Sequence, residues 1–140
     1  MIGTLLPYAA ALAGLLVLSN QSSRPTVSLS GPVTIATAED GTSASIRPWQ
    51  VRQKSSGEST YREAFVTFAR PEDGQVVSTL EIARYRCAEA KIDDLSETRI
   101  EPDGTIDETV FEPFRERDVT QLDPFRAEVF NYICRMELGS

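Results

Sequence analysis

Two segments of this chain decide its fold: Ser78-Thr-Leu-Glu-Ile-Ala-Arg-Tyr-Arg-Cys87 and Asp123-Pro-Phe-Arg-Ala-Glu-Val-Phe-Asn-Tyr-Ile-Cys-Arg-Met136. The first predicts a β-strand that ends at a cysteine. The second predicts a helix, because an aspartate stands at its N-cap, a proline follows, and apolar residues then recur every three or four positions. Cys87 and Cys134 are the two cysteines of a chain whose amino terminus is typical of export. We therefore expect a disulfide that tethers the terminal helix to one face of a sheet.

Three Asp-Gly turns divide the region before this helix. They lie in Ala38–Gly41, Pro71–Gly74 and Glu101–Gly104, and each has β-rich sequence on both sides. Such turns favour hairpins, because glycine adopts a positive φ at little cost. The pattern predicts an α+β domain with about six antiparallel strands and a C-terminal helix. We expect Lys54–Thr60 to be a loop.

The strand predicted over Ser78–Cys87 indicates a sheet with apolar residues on both faces. Alternation puts Ala83 and Tyr85 on one face, and Leu80 and Ile82 on the other. The second apolar face needs a cover, which a partner subunit, a curled sheet or a ligand would supply. A homodimer is one of these alternatives.

The amino-terminal sequence predicts a targeting segment rather than a part of the folded domain. Residues 1–19 are almost wholly apolar and uncharged, which is typical of a signal peptide, and of an N-terminal membrane anchor if they are not cleaved. Residues 20–25 form a polar linker, and a single domain is expected over residues 26–140. Its location would be the periplasm, the cell surface or the medium.

Composition argues against several classes of function. The formal net charge is -7, which disfavours a nucleic-acid binder because such a protein needs a basic face. The chain has no histidine, the commonest general base and zinc ligand. We predict no enzyme, no cofactor and no metal site. Contact with a membrane is expected only if the N-terminal segment stays uncleaved.

Arg84 and Arg86 are the candidate binding patch. Alternation places both on one strand face, where they would meet a carboxylate of a protein partner. The alternative that we favour for them is a cross-strand ion pair.

Several other groups have a plainer interpretation. Carboxylates near the third turn would bind calcium only weakly, because they lack the spacing of the helix-loop-helix motif; they are Glu101, Asp103, Asp107 and Glu108. Asp93 and Asp94 are expected in a solvated loop, and Arg115–Arg117 on the surface. Arg126 should point away from the apolar side of the helix. The aromatic residues Trp49, Phe111 and Phe114 are expected in the core or at its rim.

The second half of the chain resembles the surface-adhesin protein E family of Gram-negative envelope proteins. The resemblance runs from Tyr61 to Cys134, through Arg84-Tyr-Arg-Cys87, the Glu101–Gly104 turn and Phe130-Asn-Tyr-Ile-Cys134. It implies a six-stranded antiparallel sheet with a disulfide-tethered helix, and an exported protein that binds host or matrix proteins. The chain has no cysteine near residue 20, where many members of that family carry a lipid anchor.

Together these features predict a bacterial envelope protein that acts as an adhesin-like binding module. The partner would be a host matrix protein or another envelope protein. The alternative is a periplasmic inhibitor or accessory protein of an envelope enzyme, since an inhibitor needs no catalytic residues.

Overall fold

The computed structural model describes residues 31–138. They form seven strands and one α-helix: β1 (Val33–Thr37), β2 (Ser43–Ile46), β3 (Arg52–Ser56), β4 (Ser59–Glu72), β5 (Gln75–Arg86), β6 (Lys91–Ile100), β7 (Ile106–Asp118) and α1 (Pro124–Arg135). The predicted signal or anchor over residues 1–19 and the linker over residues 20–25 lie outside the described part of the chain.

All seven strands belong to one antiparallel sheet. Its order is β1-β2-β4-β5-β6-β7, and β3 pairs with β4. β4 is long enough to hold two partners on one edge: Ser43 of β2 faces Ala69, and Arg52 of β3 faces Glu63. The predicted α+β fold with an antiparallel sheet is confirmed, and seven strands are close to the expected six.

The predicted Asp-Gly turns join β1 to β2, β4 to β5 and β6 to β7. Their glycines have positive φ angles of 92°, 78° and 90° at Gly41, Gly74 and Gly104, which explains why glycine is needed there. The expected loop over Lys54–Thr60 was wrong. Its residues form most of β3, a tight turn at Gly57 and the start of β4, and the edge strand β3 is exposed along its length, so no apolar alternation marks it.

Helix α1 packs on one face of the sheet, which we call the covered face. Its buried residues Val129, Phe130 and Ile133 join a core formed by alternate residues of the strands. Phe125 contacts Phe68 of β4 edge-on, with 6.0 Å between ring centroids, and Phe130 lies 6.1 Å from the ring of Tyr85 in β5. The other face of the sheet is called the open face.

The two ends of α1 are fixed by different contacts. Asp123 caps its first turn by accepting a hydrogen bond of 2.8 Å from the backbone N–H of Arg126. At the other end Arg62 donates to the carbonyl oxygens of Ile133 and Met136, at 2.6 and 2.8 Å. The expected disulfide between Cys87 and Cys134 is present and joins the end of β5 to the last turn of α1. It ties the helix to the sheet at the C-terminal end of α1. At that end the helix itself leaves its last carbonyls unpaired, and Arg62 donates to two carbonyls there.

No helix within residues 31–138 is both long and apolar enough to span a membrane.

Candidate functional site

The open face carries most of the exposed large apolar side chains of the sheet. Its cross-strand register sets Phe65, Ile82 and Ser96 in one row with Val110. Val110 is 59% exposed and Ile106 is 65% exposed. Val76, Ile100 and Phe114 are exposed as well. The sequence predicted an apolar second face from the strands that are β4 and β5, and the register extends that face to β7.

A network of charges joins the helix to the sheet on the covered face. Glu81 of β5 accepts two hydrogen bonds from Arg126 of α1, at 2.8 and 3.0 Å, and lies 3.4 Å from Arg117 of β7. Asp94 of β6 lies 2.7 Å from Nε of Arg117 and 2.9 Å from Nε of Arg115. The side chains of Glu81 and Asp94 are only 3% and 1% exposed. Two buried carboxylates are thus matched by three arginines, as a low-dielectric site requires.

This network corrects three expectations. Asp94 does not lie in a solvated loop but at a buried position of β6, and Asp93 lies beside it in the same strand. Arg117 is largely buried rather than exposed, and Arg126 points under the helix to Glu81. Each of these side chains finds its partner on another element, so its own neighbours in sequence give no sign of burial.

The network also affects the groups around it. Burial, reinforced by the negative charge of Glu81, raises the pKa of the Tyr85 hydroxyl well above its ordinary value of 10.0. Burial alone would lower the pKa of Arg117, but its hydrogen bond to Asp94 and the charges of Asp94 and Glu81 outweigh that effect and raise it. Both groups therefore keep one protonation state across physiological pH. We assign the network a structural role.

A cleft of about 890 Å³ opens between the β1–β2 turn and the start of α1. Its lining is mixed in charge and includes Arg70 and Arg99. Both arginines already pair with carboxylates of their own strand region, Glu72 and Glu101 respectively. The arginines that line the cleft are therefore all matched, and the cleft offers no unpaired positive charge to a ligand.

The two arginines of the predicted binding patch differ in their surroundings. Both lie on the open face of β5, but Arg86 is ion-paired. Its guanidinium lies 3.0 Å from Asp93 and 3.1 Å from Glu89, and it also pairs with Glu116. For Arg86 the structure shows the ion pair that the sequence favoured.

Arg84 has no ion pair with any residue that the structure describes. The residues opposite it in register are Glu63 and Asp93. Both carboxylates form ion pairs with other residues: Glu63 pairs with Lys54 at 3.0 Å, and Asp93 pairs with Arg86.

Nε of Arg84 is buried and has no hydrogen-bond partner among residues 31–138. A buried donor left in this state costs about 1–3 kcal/mol. Nε of Arg86 and Nε of Arg117 also lack a well-aligned hydrogen bond, but each lies within 3.0 Å of a carboxylate oxygen.

Two aromatic rings hold the guanidinium of Arg84 instead. Its Cζ lies 4.7 Å from the ring centroid of Tyr61 and 4.8 Å from that of Phe114. These distances are those of cation–π contacts, which fix the plane of the guanidinium without neutralising its charge. We call Tyr61, Arg84 and Phe114 the Arg84 clamp.

A bulge in β7 supplies the third member of the clamp. Asp94 faces Arg115 and Ser96 faces Val110, so the four residues 111–114 of β7 lie opposite the single residue Leu95 of β6. Bulges of this kind re-aim side chains. Here the Phe114 ring reaches Arg84 two strands away. The expectation that Phe114 lies in the core or at its rim missed this contact, since the sequence does not reveal the bulge.

The carboxylates considered for calcium are not brought together. Glu101 pairs with Arg99, and Asp103 accepts a hydrogen bond from the Thr105 backbone. Asp107 and Glu108 are neighbours in β7 and so point to opposite faces. Among residues 31–138 no cluster of acidic or cysteine side chains has the arrangement of a metal site.

No family model, curated protein or solved structure matches this chain.

Proposed function

We propose that this chain is an exported bacterial envelope protein that binds another protein through the open face of its sheet. The observation that carries the proposal is the exposed apolar surface on that face, of which Ile106 and Val110 are 65% and 59% exposed. Contiguous exposed apolar surface on a folded domain is typical of a binding site. The partner would be a host matrix protein or another protein of the envelope.

The composition of the open face suits a protein partner. Apolar residues alternate along its rows with small polar ones such as Thr67, Ser96 and Thr98. An aromatic and an arginine, Phe114 and Arg84, lie at one end. Aromatic residues and arginine are enriched in protein interfaces, whereas a nucleic-acid site would need several unpaired cations.

The disulfide supports an extracytoplasmic location. The Cys87–Cys134 pair is the kind of cross-link that persists in oxidising compartments and is rare in the cytoplasm. The resemblance to the surface-adhesin protein E family agrees with this location and with a binding role. The finer placement in the periplasm, at the cell surface or in the medium is part of the proposal.

A quantitative binding assay tests the proposal. The oxidised protein is immobilised and a panel of extracellular-matrix and envelope proteins is passed over it. Val110→Lys puts a charge on the open face, and because Val110 is largely exposed we expect it to change the unfolding free energy by no more than about 0.5 kcal/mol. Tyr132→Lys, at a 40% exposed position of α1, is the matched control.

We expect at least one protein of the panel to bind, and Val110→Lys to weaken that binding about tenfold or more, the size of effect seen at the centre of interfaces. Tyr132→Lys should leave it unchanged. Binding that is insensitive to Val110→Lys would contradict the assigned face. If the panel fails and sedimentation shows a dimer that Val110→Lys dissociates, the face binds a second copy, and the matrix or envelope partner is wrong.

A further inference from the structure

We propose that the Arg84 clamp receives a single carboxylate of the partner, carried by an acidic residue with apolar neighbours. This inference rests on the proposed function, because it assigns the chemistry of the ligand at one end of the open face. It starts from the one feature that separates Arg84 from Arg86, namely the lack of a carboxylate around a guanidinium that is already held in place.

The guanidinium is prepared for a ligand with hydrogen-bond acceptors. It lies between the rings of Tyr61 and Phe114, so its orientation is fixed before a ligand arrives. Its Nε is buried, so a ligand would reach the guanidinium through the terminal Nη groups. A carboxylate accepts two parallel N–H bonds from the two Nη groups of an arginine in the end-on arrangement.

The charges around the clamp favour a monoanion over a phosphate or sulfate. Next to Arg84 on the open face, Arg86 and Lys91 face four carboxylates: Glu89, Asp93, Glu116 and Asp118. This group has an excess of negative charge, so it repels any anion, and it repels a dianion about twice as strongly as a monoanion. Among the described residues of this end of the open face, Arg84 carries the one positive charge that has no carboxylate, and one carboxylate of a partner would neutralise it.

The surface beside the clamp specifies the neighbours of that carboxylate. Ile82 lies two residues before Arg84 on the same face of β5, and its row continues to Val110 on β7. A peptide whose acidic side chain enters the clamp would lay its adjacent side chains against Ile82 and Val110, which the small residue Ser96 separates in this row. The ligand class is thus an acidic residue flanked by apolar ones.

Nuclear magnetic resonance tests the inference directly on the oxidised full chain. The probe is acetyl-Leu-Asp-Leu-amide, and the readout is the Nε–H resonance of Arg84, assigned by its loss in Arg84→Lys. The peptides acetyl-Leu-Asn-Leu-amide and acetyl-Leu-phosphoserine-Leu-amide separate the effects of charge and of a dianion. Arg86→Lys is the matched control on the same strand face.

We expect the aspartate peptide to shift the Arg84 Nε–H resonance in a saturable way. The asparagine peptide, and the Arg84→Lys variant observed through backbone amides, should each weaken binding about tenfold or more. Arg86→Lys should change it less than about twofold, since Arg86 is occupied by its own ion pairs. Phe114→Leu should weaken binding while keeping the charge of Arg84.

Three results would overturn the inference: no shift of the Arg84 resonance, equal binding of the aspartate and asparagine peptides, or much tighter binding of the phosphoserine peptide. The partner-binding assay keeps the two proposals apart. If Val110→Lys weakens partner binding and Arg84→Lys does not, the open face stands and the clamp is refuted. If Val110→Lys has no effect, the proposed function fails whatever the peptides do.

Discussion

Loss of the Cys87–Cys134 disulfide should destabilise the domain by about 4 kcal/mol, the loop-closure entropy of a cross-link of this size. The two cysteines are 47 residues apart in sequence, and the loop between them contains β6, β7 and most of α1. Domains of this size commonly have an unfolding free energy of about 5–15 kcal/mol, so the cross-link supplies a large share. The corresponding fall in Tm is roughly 15–30 °C.

The assay is equilibrium urea unfolding of the oxidised protein, the reduced protein and Cys87→Ala/Cys134→Ala. Both cysteines pack against the core, so the double alanine variant also loses sulfur contacts. The reduced wild type keeps those atoms and isolates the effect of the cross-link. We expect the reduced protein to lose about 4 kcal/mol and the alanine variant somewhat more.

Amide hydrogen exchange shows which part of the domain loses stability when the disulfide is reduced. The amides of α1 should exchange faster on reduction before those of β4 and β5, because the disulfide holds the last turn of the helix. A reduced protein that unfolds within about 1 kcal/mol of the oxidised one would refute the loop-closure estimate. It would mean that the contacts of α1 on the covered face hold the helix without help.

Three further perturbations test the fold. Glu81→Gln should cost about 2–4 kcal/mol in urea unfolding, because it removes a 3% exposed carboxylate from two arginines that stay partly exposed. Gly41→Ala should cost about 1–3 kcal/mol, since φ is 92° and the new Cβ would lie 3.0 Å from Pro71. Hydrogen bonds from the hydroxyl and backbone N–H of Thr120 lower the pKa of Asp118 below 3.8. The contribution of Asp118 to the unfolding free energy is therefore present above pH 3.8 and is lost as the pH falls further. In a series of urea midpoints measured against pH, Asp118→Asn should lose less stability on the acid side than the wild type.

Local signals in the sequence account for the helix, the disulfide and three of the hairpins. Asp123 and the proline after it mark the start of α1, and glycines with positive φ mark the turns. These features depend on residues close together in the chain, so they can be predicted without the rest of the structure. The hairpin of β3 and β4 was missed because β3 is an exposed edge strand of polar residues.

The charged residues could not be placed in the same way. Asp94 and Arg117 belong to different strands, and Glu81 meets Arg126 only because α1 crosses above β5. The register of β6 and the position of the helix decide these pairs, and both are set by the whole core. The local sequence around Asp94 is polar, so it favoured a solvated loop although the residue is buried.

Arg84 and Arg86 show what the alternation of side chains along a strand can predict and what it cannot. Alternation predicts that they share a face, but it cannot tell which of them is neutralised. Which arginine is neutralised depends on two ion pairs, Asp93 with Arg86 and Glu63 with Lys54. It also depends on the β7 bulge, which brings Phe114 over β6 to Arg84. On the covered face each buried carboxylate meets at least two arginines. On the open face the guanidinium of Arg84 lies between two rings with no carboxylate from residues 31–138, and the proposed carboxylate of a partner would pair with it.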